Sequence, residues 1–305
     1  MSLKKTTELF YSSIRYPGPN TTMSKQWSER ISEYIKKSDN FYFLDAGCGS
    51  CRHLAGILDD YKNSYGVGID LSNPSLKAGE KFLNSFNFQG RFELHKKSFS
   101  QKLKFKKKFD VIFAIGCIHH SKDYEKSFRN LCANLKKGGL LCGMIYSERG
   151  HQRRYEIKEM LHLLTKDPKV MMDLYPHFKK KLMDHTINEL IQKIKNYYYQ
   201  AKLKLKGKST YYGYAAQENI TKPVFFLDTF CAPIDYGLNT KDFQRICNTN
   251  NLQVLKLAGY EKYKAKNIDN SLAKILDHMK LWDQIRFNEL FDQYPKSLSF
   301  ILKKK

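Results

Sequence analysis

The fold is decided by the stretch Phe41-Tyr42-Phe43-Leu44-Asp45-Ala46-Gly47-Cys48-Gly49-Ser50. Its first half is a short apolar run that predicts a buried strand. Its second half is a glycine turn that leads into a helical segment from Arg52. A glycine turn lets the backbone approach a ligand closely, and the amino terminus of the next helix offers free N–H groups. We therefore expect a ligand at the carboxyl end of this strand.

Strands and helices continue to alternate after this unit. Further apolar runs predict strands at residues 65–70, 92–95, 109–114 and 140–146, with helical stretches at 52–61, 74–86 and about 123–135. A helix at 240–248, a strand at 252–257, a helix at 271–291 and a strand at 298–302 are predicted later in the chain. Strands joined by right-handed helical crossovers form a parallel sheet covered on both faces. The predicted fold class is α/β, a Rossmann-like, doubly wound, mostly parallel sheet with helices on both faces.

The same pattern divides the chain into four parts. Residues 1–39 are expected to form an N-terminal helical cap broken at Tyr16-Pro17-Gly18-Pro19, and residues 40–146 the ligand-binding core. Alternation stops at Ser147, so residues 147–239 are predicted to be a mainly helical insertion, or lid, after the fifth strand. Residues 240–305 are expected to complete the core sheet.

Asp70 indicates the kind of ligand, because it ends the second predicted strand. An acidic residue at that position can accept hydrogen bonds from both hydroxyls of a ribose. Together with Gly47 and Gly49 it predicts a nucleoside-containing cofactor. A dinucleotide is the weaker alternative, since a pyrophosphate-binding turn reads G-x-G-x-x-G and Arg52 stands at its last position here.

Ordered motifs in this part of the chain resemble those of the class I S-adenosylmethionine-dependent methyltransferases, in the branch that mostly modifies small molecules. They are Leu44-Asp45-Ala46-Gly47-Cys48-Gly49-Ser50, Gly68-Ile69-Asp70-Leu71-Ser72, Phe109-Asp110-Val111-Ile112-Phe113 with Gly116-Cys117-Ile118-His119-His120, and Leu135-Lys136-Lys137-Gly138-Gly139. The resemblance implies an enzyme that uses S-adenosylmethionine and releases S-adenosylhomocysteine.

The resemblance also implies which residues touch the cofactor. Asp45, Gly47 and Gly49 would line its methionine part, Asp70 would hold the ribose and Leu71 would pack on the adenine. The family often places an acidic residue after the third strand, but Ser98 and Phe99 stand there in this chain, which leaves adenine recognition to backbone groups and ring packing. The full set of predicted cofactor contacts is Asp45, Gly47, Gly49, Asp70, Leu71, Ser98, Phe99, Ile115 and Tyr11.

Two residues are candidates for catalysis. His120 follows the fourth strand at the carboxyl end of the sheet, where it can face acceptor or cofactor and remove a proton. Tyr16, with Tyr11, lies beside the proline-glycine break and could close over the cofactor. Each has a structural alternative, in which the histidine caps a helix or fills the core and the tyrosines only pack helices together.

The acceptor pocket is expected from segments beyond the strand carboxyl ends. Candidate substrate contacts are His119, Arg154, Asp228 and Tyr236, with solvated arginines and a turn-capping aspartate as the alternatives. The chain lacks the Asp/Asn-Pro-Pro-aromatic element that often follows the fourth strand in enzymes acting on base amines. A small-molecule acceptor, methylated on oxygen, nitrogen or carbon, is therefore the first expectation.

The net positive charge of the chain leaves nucleic acid and anionic membranes as possible partners. The formal net charge is +23, from 53 Lys and Arg against 30 Asp and Glu, and such a surface can attract nucleic acid or anionic membrane. Basic stretches at 95–108 and 178–206, with Tyr197, Tyr198 and Tyr199, support RNA, protein or membrane lipid as the runner-up acceptor. A composition biased toward Lys explains the same charge without a partner. A non-catalytic scaffold is the remaining class, against which the intact glycine turn and Asp70 argue.

The remaining composition points to a cytoplasmic protein. The chain has no apolar run long enough to span a membrane and no apolar segment after Met1. Its seven cysteines are odd in number and scattered, as suits reduced thiols. Cys48 and Cys51 form a lone C-x-x-C inside the glycine turn, so no metal site is predicted. The sequence leaves the oligomeric state open.

Overall fold

The computed structural model describes residues 3–14, 22–182, 226–258, 270–291 and 297–305. These residues are built around one seven-stranded sheet with the strand order β3-β2-β1-β4-β5-β7-β6. The strands are β1 Tyr42–Ala46, β2 Tyr65–Asp70, β3 Phe92–Lys96, β4 Phe109–Ile115, β5 Leu135–Tyr146, β6 Leu252–Ala258 and β7 Ser297–Lys304. β1 to β5 are parallel, whereas β7 runs antiparallel between β5 and β6. The predicted mostly parallel Rossmann-like sheet is confirmed.

The predicted helices after the first, second and fourth strands are present, and β3 and β4 are joined without a helix by the described residues 97–108. They are α1 Leu3–Ile14, α2 Gln26–Ile31, α3 Arg52–Asp60, α4 Asn73–Asn84, α5 Tyr124–Ala133, α6 Glu148–Leu164, α7 Pro168–Leu182, α8 Thr240–Thr249, α9 Asn270–His278 and α10 Leu281–Leu290. Two short turns matter for the site: a 3₁₀ turn at Ile118–His120 and a π-helical turn at Leu227–Cys231. Among the described residues, no helix has both the length and the apolar composition of a membrane span.

The strand order creates a crevice at β1. This strand pairs with β2 on one side and with β4 on the other, so the chain winds away from it in both directions. Ligands of open α/β sheets bind at such a switch point, outside the strand carboxyl ends. Asp45 lies there, opposite Gly68 of β2 and Phe113 of β4. The fold therefore brings the sequence motifs to one edge of the sheet.

The core follows from the alternation of side chains along the strands. On one face, Phe43 and Phe113 pack edge-to-face with ring centres 5.9 Å apart, and Trp27 of α2 covers Phe113 at 6.4 Å. On the other face, Phe128 of α5 and Phe243 of α8 pack at 6.4 Å beneath the sheet. Both faces are thus sealed by helices, which leaves the ends of the sheet as the accessible edges.

Two predicted boundaries were wrong. β5 begins at Leu135 rather than at residue 140, because a bulge next to Phe109 absorbs the glycine turn into the strand. The single helix expected at residues 271–291 is two helices, since Lys280 has extended backbone (φ −61°, ψ 147°). The side chain of Gln284 stabilises this break by donating to the carbonyls of Leu276 and Met279.

The start of the predicted lid is helical, as expected. α6 and α7 pack around the π-helical turn in a small apolar cluster separate from the two main ones. Its buried members are Ile157, Leu161, Met171, Tyr175, Phe226 and Phe230. The basic stretch beyond residue 182, including Tyr197 to Tyr199, and the candidate Tyr16 lie outside the described residues.

Candidate active site

The glycine turn after β1 has the backbone that only small residues tolerate. Gly47 and Gly49 have φ angles of +74° and +51°. A Cβ on Gly47 would lie 2.6 Å from the Cβ of Cys117, so this glycine also permits a close approach of two segments. The N–H groups of Gly47 and Cys48 donate to the carbonyl of Ile69 at 2.8 and 3.0 Å. The turn is therefore held in place against β2.

Asp70 is fixed at the end of β2 by two backbone donors. The N–H of Gly49 donates to its Oδ2 at 2.9 Å, and the N–H of Ser72 donates to its Oδ1 at 2.8 Å. Burial raises the pKa of the Asp70 carboxyl, while these hydrogen bonds act to lower it. The N–H of Leu71 also acts on this carboxylate. The carboxylate is thus oriented, and its remaining acceptor capacity suits a ribose hydroxyl.

Asp45 has a polar atom that the protein leaves unsatisfied. The residue is 3% exposed, and its Oδ2 has no hydrogen-bond partner. Burial and the nearby Asp70 raise the pKa of the Asp45 carboxyl to about 7. An unpaired buried carboxylate oxygen is costly, and an ammonium group on a ligand would satisfy it. We call Asp45, Gly47, Gly49 and Asp70 the cofactor cradle. Its unpaired carboxylate oxygen fits the methionine part of the implied cofactor.

The other predicted cofactor contacts border this cradle. The Phe99 ring lies 3.7 Å from the position that a Gly47 Cβ would take, and the side chain of Asn130 donates to the Phe99 carbonyl at 2.9 Å. Ser98 is buried, and its Oγ accepts a hydrogen bond from the N–H of Ser100 at 3.2 Å. This hydroxyl therefore stabilises the loop in which it lies. Leu71 and Ile115 are partly exposed at the same edge.

A cluster of polar side chains joins three segments that are distant in the sequence. The Tyr11 hydroxyl of α1 donates to Oδ1 of Asp228 in the π-helical turn at 2.9 Å. Nδ1 of His120 lies 2.8 Å from the carbonyl oxygen of Ile234, and its Nε2 lies 4.0 Å from Oδ1 of Asp228. The Tyr11 and His120 rings meet edge-on at 5.4 Å. We call Tyr11, His120 and Asp228 the acceptor cluster.

The acceptor cluster adjoins the cofactor cradle. The hydroxyl of Ser72, two residues after Asp70, donates to the carbonyl of Tyr11 at 3.3 Å. Burial raises the pKa of the Asp228 carboxyl, against the lowering effect of His120 and the Tyr11 hydrogen bond. A buried carboxyl beside a histidine is suited to hold or receive a proton.

Buried aromatic and ionic groups lie on the far side of His120. The His119 ring stacks on Tyr146 at 3.8 Å, and burial holds the pKa of His119 well below its usual range. Arg154 of α6 pairs with Asp235 and lies 4.3 Å from the centre of the Tyr146 ring. The Arg154 side chain is only 11% exposed, so the alternative of a solvated arginine is wrong there.

The two arginine and tyrosine side chains that remain are exposed to solvent. Tyr236 is 52% exposed, and its N–H donates to the carbonyl of His119 at 3.0 Å. Arg153 faces outward and pairs with Glu156 at 2.6 Å. Sequence reasoning did not single out Asp235 or Tyr146, although Asp235 stands in the mixed acidic and aromatic loop that it flagged. The contact partner of a buried ion cannot be read from one segment alone.

Comparison with known proteins assigns the class. Residues 44–141 match a family model described as a methyltransferase domain. A tRNA U34 carboxymethyltransferase from Pseudoalteromonas atlantica is 31% identical over 123 residues, which are 40% of this chain and 37% of that protein. The chain thus spans under half the length of this relative.

Solved structures share the fold. PKMT2 from Rickettsia typhi, in complex with AdoHcy, superposes with a TM-score of 0.67 at 18% identity over 94% of this chain and 54% of that one. A putative sarcosine dimethylglycine methyltransferase from Galdieria sulphuraria gives 0.51 at 10% identity over 98% of each chain.

Sheet order, glycine turn and Asp70 together define a class I, S-adenosylmethionine-dependent methyltransferase fold. Within this chain, residues 44–141 match the methyltransferase-domain model. The resemblance seen in the motifs is thereby confirmed at the level of the class.

Proposed function

We propose that this chain transfers a methyl group from S-adenosylmethionine to an oxygen, nitrogen or carbon atom of a small-molecule acceptor. The observation that carries the proposal is the pair of carboxylates on adjacent strands. Asp45 offers an unpaired buried oxygen, and Asp70 is oriented by two N–H donors. Such a pair suits a ligand that has an ammonium group at one end and a ribose at the other.

The cradle residues have distinct binding roles in this proposal. Asp45 pairs with the amino group of the cofactor, and Asp70 accepts from its ribose hydroxyls. Phe99 and Leu71 supply apolar surface for the adenine. S-adenosylmethionine, when bound, supplies a methyl group that is already activated by the positive charge on its sulfur. The protein then has to align the acceptor, exclude water and accept a proton.

The acceptor cluster supplies the proton acceptor. A carbonyl oxygen can only accept, so the short contact with Ile234 places the ring proton of neutral His120 on Nδ1. Nε2 then carries a lone pair that can take a proton from an acceptor O–H or N–H group. Asp228 at 4.0 Å stabilises the imidazolium that results. Tyr11 holds Asp228 in place through its hydrogen bond.

Enclosure supports a small acceptor. α6 and the π-helical turn bring buried groups, Arg154 and Asp228, to the carboxyl edge of the sheet. The runner-up is an RNA acceptor, supported by the tRNA-modifying relative and by exposed lysines of the 95–108 stretch. The match to that relative covers 123 residues, which are 40% of this chain.

Calorimetric titration with S-adenosylmethionine and S-adenosylhomocysteine tests the cofactor. We expect one site per chain, lost in Asp70→Ala and retained in Asp277→Asn, a control on the exposed side of α9. Absence of binding by well-folded wild-type protein would overturn the proposal. Methyl-labelled cofactor incubated with separated small-molecule, RNA and protein fractions tests the acceptor. Label confined to RNA would replace the small-molecule acceptor with the runner-up.

A further inference from the structure

Three potential metal ligands converge beside the acceptor cluster. One nitrogen each of His119 and His120 and one carboxylate oxygen of Asp235 all lie within 4.8 Å of one another. We propose that these three residues bind a divalent first-row transition metal ion, with Zn²⁺ as the first candidate. The sequence alone predicted no metal site. The proposal does not depend on methyl transfer, because it rests on groups that lie outside the cofactor cradle.

Unsatisfied buried atoms point to a missing partner. His119 is 1% exposed, and neither of its ring nitrogens has a hydrogen-bond partner. The Asp235 side chain is fully buried, and its Oδ1 has no partner although Arg154 pairs with Oδ2. The large majority of buried polar atoms in native proteins have a hydrogen-bond partner. A metal ion would satisfy a nitrogen of His119 and the free oxygen of Asp235 at once.

Hydrogen bonds around the ligands orient them. The Ile234 carbonyl fixes Nδ1 of His120 at 2.8 Å and leaves Nε2 with a lone pair. The N–H of Tyr236 donates to the carbonyl of His119 at 3.0 Å, so the loop that carries Asp235 is tied to the histidine turn on both sides. Metal-binding histidines are commonly oriented through their other ring nitrogen in this way.

The donor set selects the kind of metal. The nearby carboxylates Asp228 and Asp235 are balanced by Arg154 and by Lys158, which donates to a lid carbonyl at 2.7 Å. The formal charges of these four side chains therefore cancel, and their sum does not attract cations in general. Two imidazoles and one carboxylate favour Zn²⁺, Co²⁺ or Ni²⁺ over Mg²⁺ and Ca²⁺. Three protein ligands also leave a coordination position open to an acceptor atom.

Occupancy would change the role of one residue in the proposed function. A metal bound to Nε2 of His120 removes this nitrogen from proton transfer. Asp228, 4.0 Å away and paired with Tyr11, then remains to receive the proton of the acceptor.

Metal titration without cofactor or acceptor tests the site. Full-length protein is stripped with a chelator, dialysed and titrated with Zn²⁺, Co²⁺ or Mg²⁺ by calorimetry, with Co²⁺ also followed by visible absorption. We expect one Zn²⁺ or Co²⁺ per chain and no heat with Mg²⁺. Asp235→Asn and His119→Gln should each weaken Zn²⁺ binding by about 100-fold or more. His162→Gln, a histidine of α6 bonded to the Phe230 carbonyl, should bind Zn²⁺ as the wild type does.

Two results would overturn the metal proposal. One is absence of Zn²⁺ binding by wild-type protein that circular dichroism shows to be folded, and the other is Zn²⁺ binding that survives in both variants, which would mark an unrelated surface site. If circular dichroism shows that His119→Gln does not fold, His120→Gln replaces it, because the His120 side chain is less deeply buried. Loss of cofactor binding alone would refute the methyltransferase proposal and leave this one standing.

Discussion

The Tyr11 hydroxyl donates a 2.9 Å hydrogen bond to Oδ1 of Asp228 and so joins α1 to the π-helical turn across 217 residues of chain. Because Ser72 donates to the Tyr11 carbonyl, the same residue also touches the end of the cofactor cradle. Tyr11 therefore contacts the cradle through its backbone carbonyl and Asp228 through its hydroxyl, and loss of the hydroxyl removes only the second contact.

Tyr11→Phe should lower the free energy of unfolding by about 1–3 kcal/mol, because it leaves the buried Asp228 carboxylate without its donor. Urea denaturation measures the change. Tyr65→Phe is the matched control, since the Tyr65 hydroxyl donates to the exposed Glu93 at the same distance of 2.9 Å. We expect about 0.5 kcal/mol or less there. Equal effects of the two changes would contradict a special role for Tyr11.

Gly47→Ala should destabilise the protein and abolish cofactor binding. The new methyl group would meet Cys117 at 2.6 Å in a left-handed backbone, which combines a clash of about 1–3 kcal/mol with a conformational cost of about 1–2 kcal/mol. Gly90→Ala separates the two costs, because Gly90 has φ +76° and nothing within 4 Å of its added Cβ. A Gly90→Ala protein as unstable as Gly47→Ala would argue against the clash.

Cofactor affinity should rise as the pH rises toward neutrality. Burial raises the pKa of Asp45 to about 7 from 3.8, so the native carboxyl keeps its proton between these values and ligand-free stability falls as the pH rises through this window. A cationic ligand group requires the ionised carboxylate. Affinity for S-adenosylmethionine should therefore increase by up to about tenfold per unit between about pH 5.5 and 7.

Calorimetry at several pH values measures this dependence on Asp45. Asp45→Asn should bind more weakly and with little pH dependence, whereas Asp277→Asn should follow the wild type. A wild-type affinity that stays constant over this window would show that Asp45 does not pair with the cofactor.

Arg154→Met should destabilise the docking of the lid by about 3–5 kcal/mol, because Asp235 would be left as a buried, unpaired charge. Arg153→Met changes the neighbouring arginine, whose pair with Glu156 is exposed, and should cost about 1 kcal/mol or less. Thermal unfolding and limited proteolysis of α6 compare the two. Similar behaviour of both variants would mean that the buried pair contributes no more than a surface pair.

In metal-free protein, His120→Gln should reduce kcat by about 10²–10⁴-fold with the acceptor identified by the labelling experiment, because the proton acceptor is lost. Cofactor affinity should stay within about twofold, since His120 lies outside the cradle. Single-turnover assays and calorimetry separate the two effects, with His162→Gln as control. A large loss of cofactor affinity would instead assign His120 to the cofactor site.

Local chemistry made much of the cradle predictable. Gly47 and Gly49 predict a turn because few other residues adopt its positive φ angles. Asp70 ends a strand that is predicted by the apolar run before it. The two errors of boundary arose where distant contacts override local pattern. The pairing of β5 with β4 extends the strand through the glycine turn, and the side chain of Gln284 stabilises a break within a helical pattern.

By itself, the sequence determined most of the order of strands and helices, the class of cofactor, and the positions of the glycine turn and of Asp70 at strand ends, because these depend on neighbours within a strand–turn–helix unit. Only the tertiary structure decided that Tyr11 meets Asp228 and that Arg154 meets Asp235, pairs 217 and 81 residues apart. The physical reason is that a buried charge or hydroxyl can be satisfied by any segment that the sheet brings to the same edge. The spacing of residues along the sequence does not indicate which segment supplies the partner.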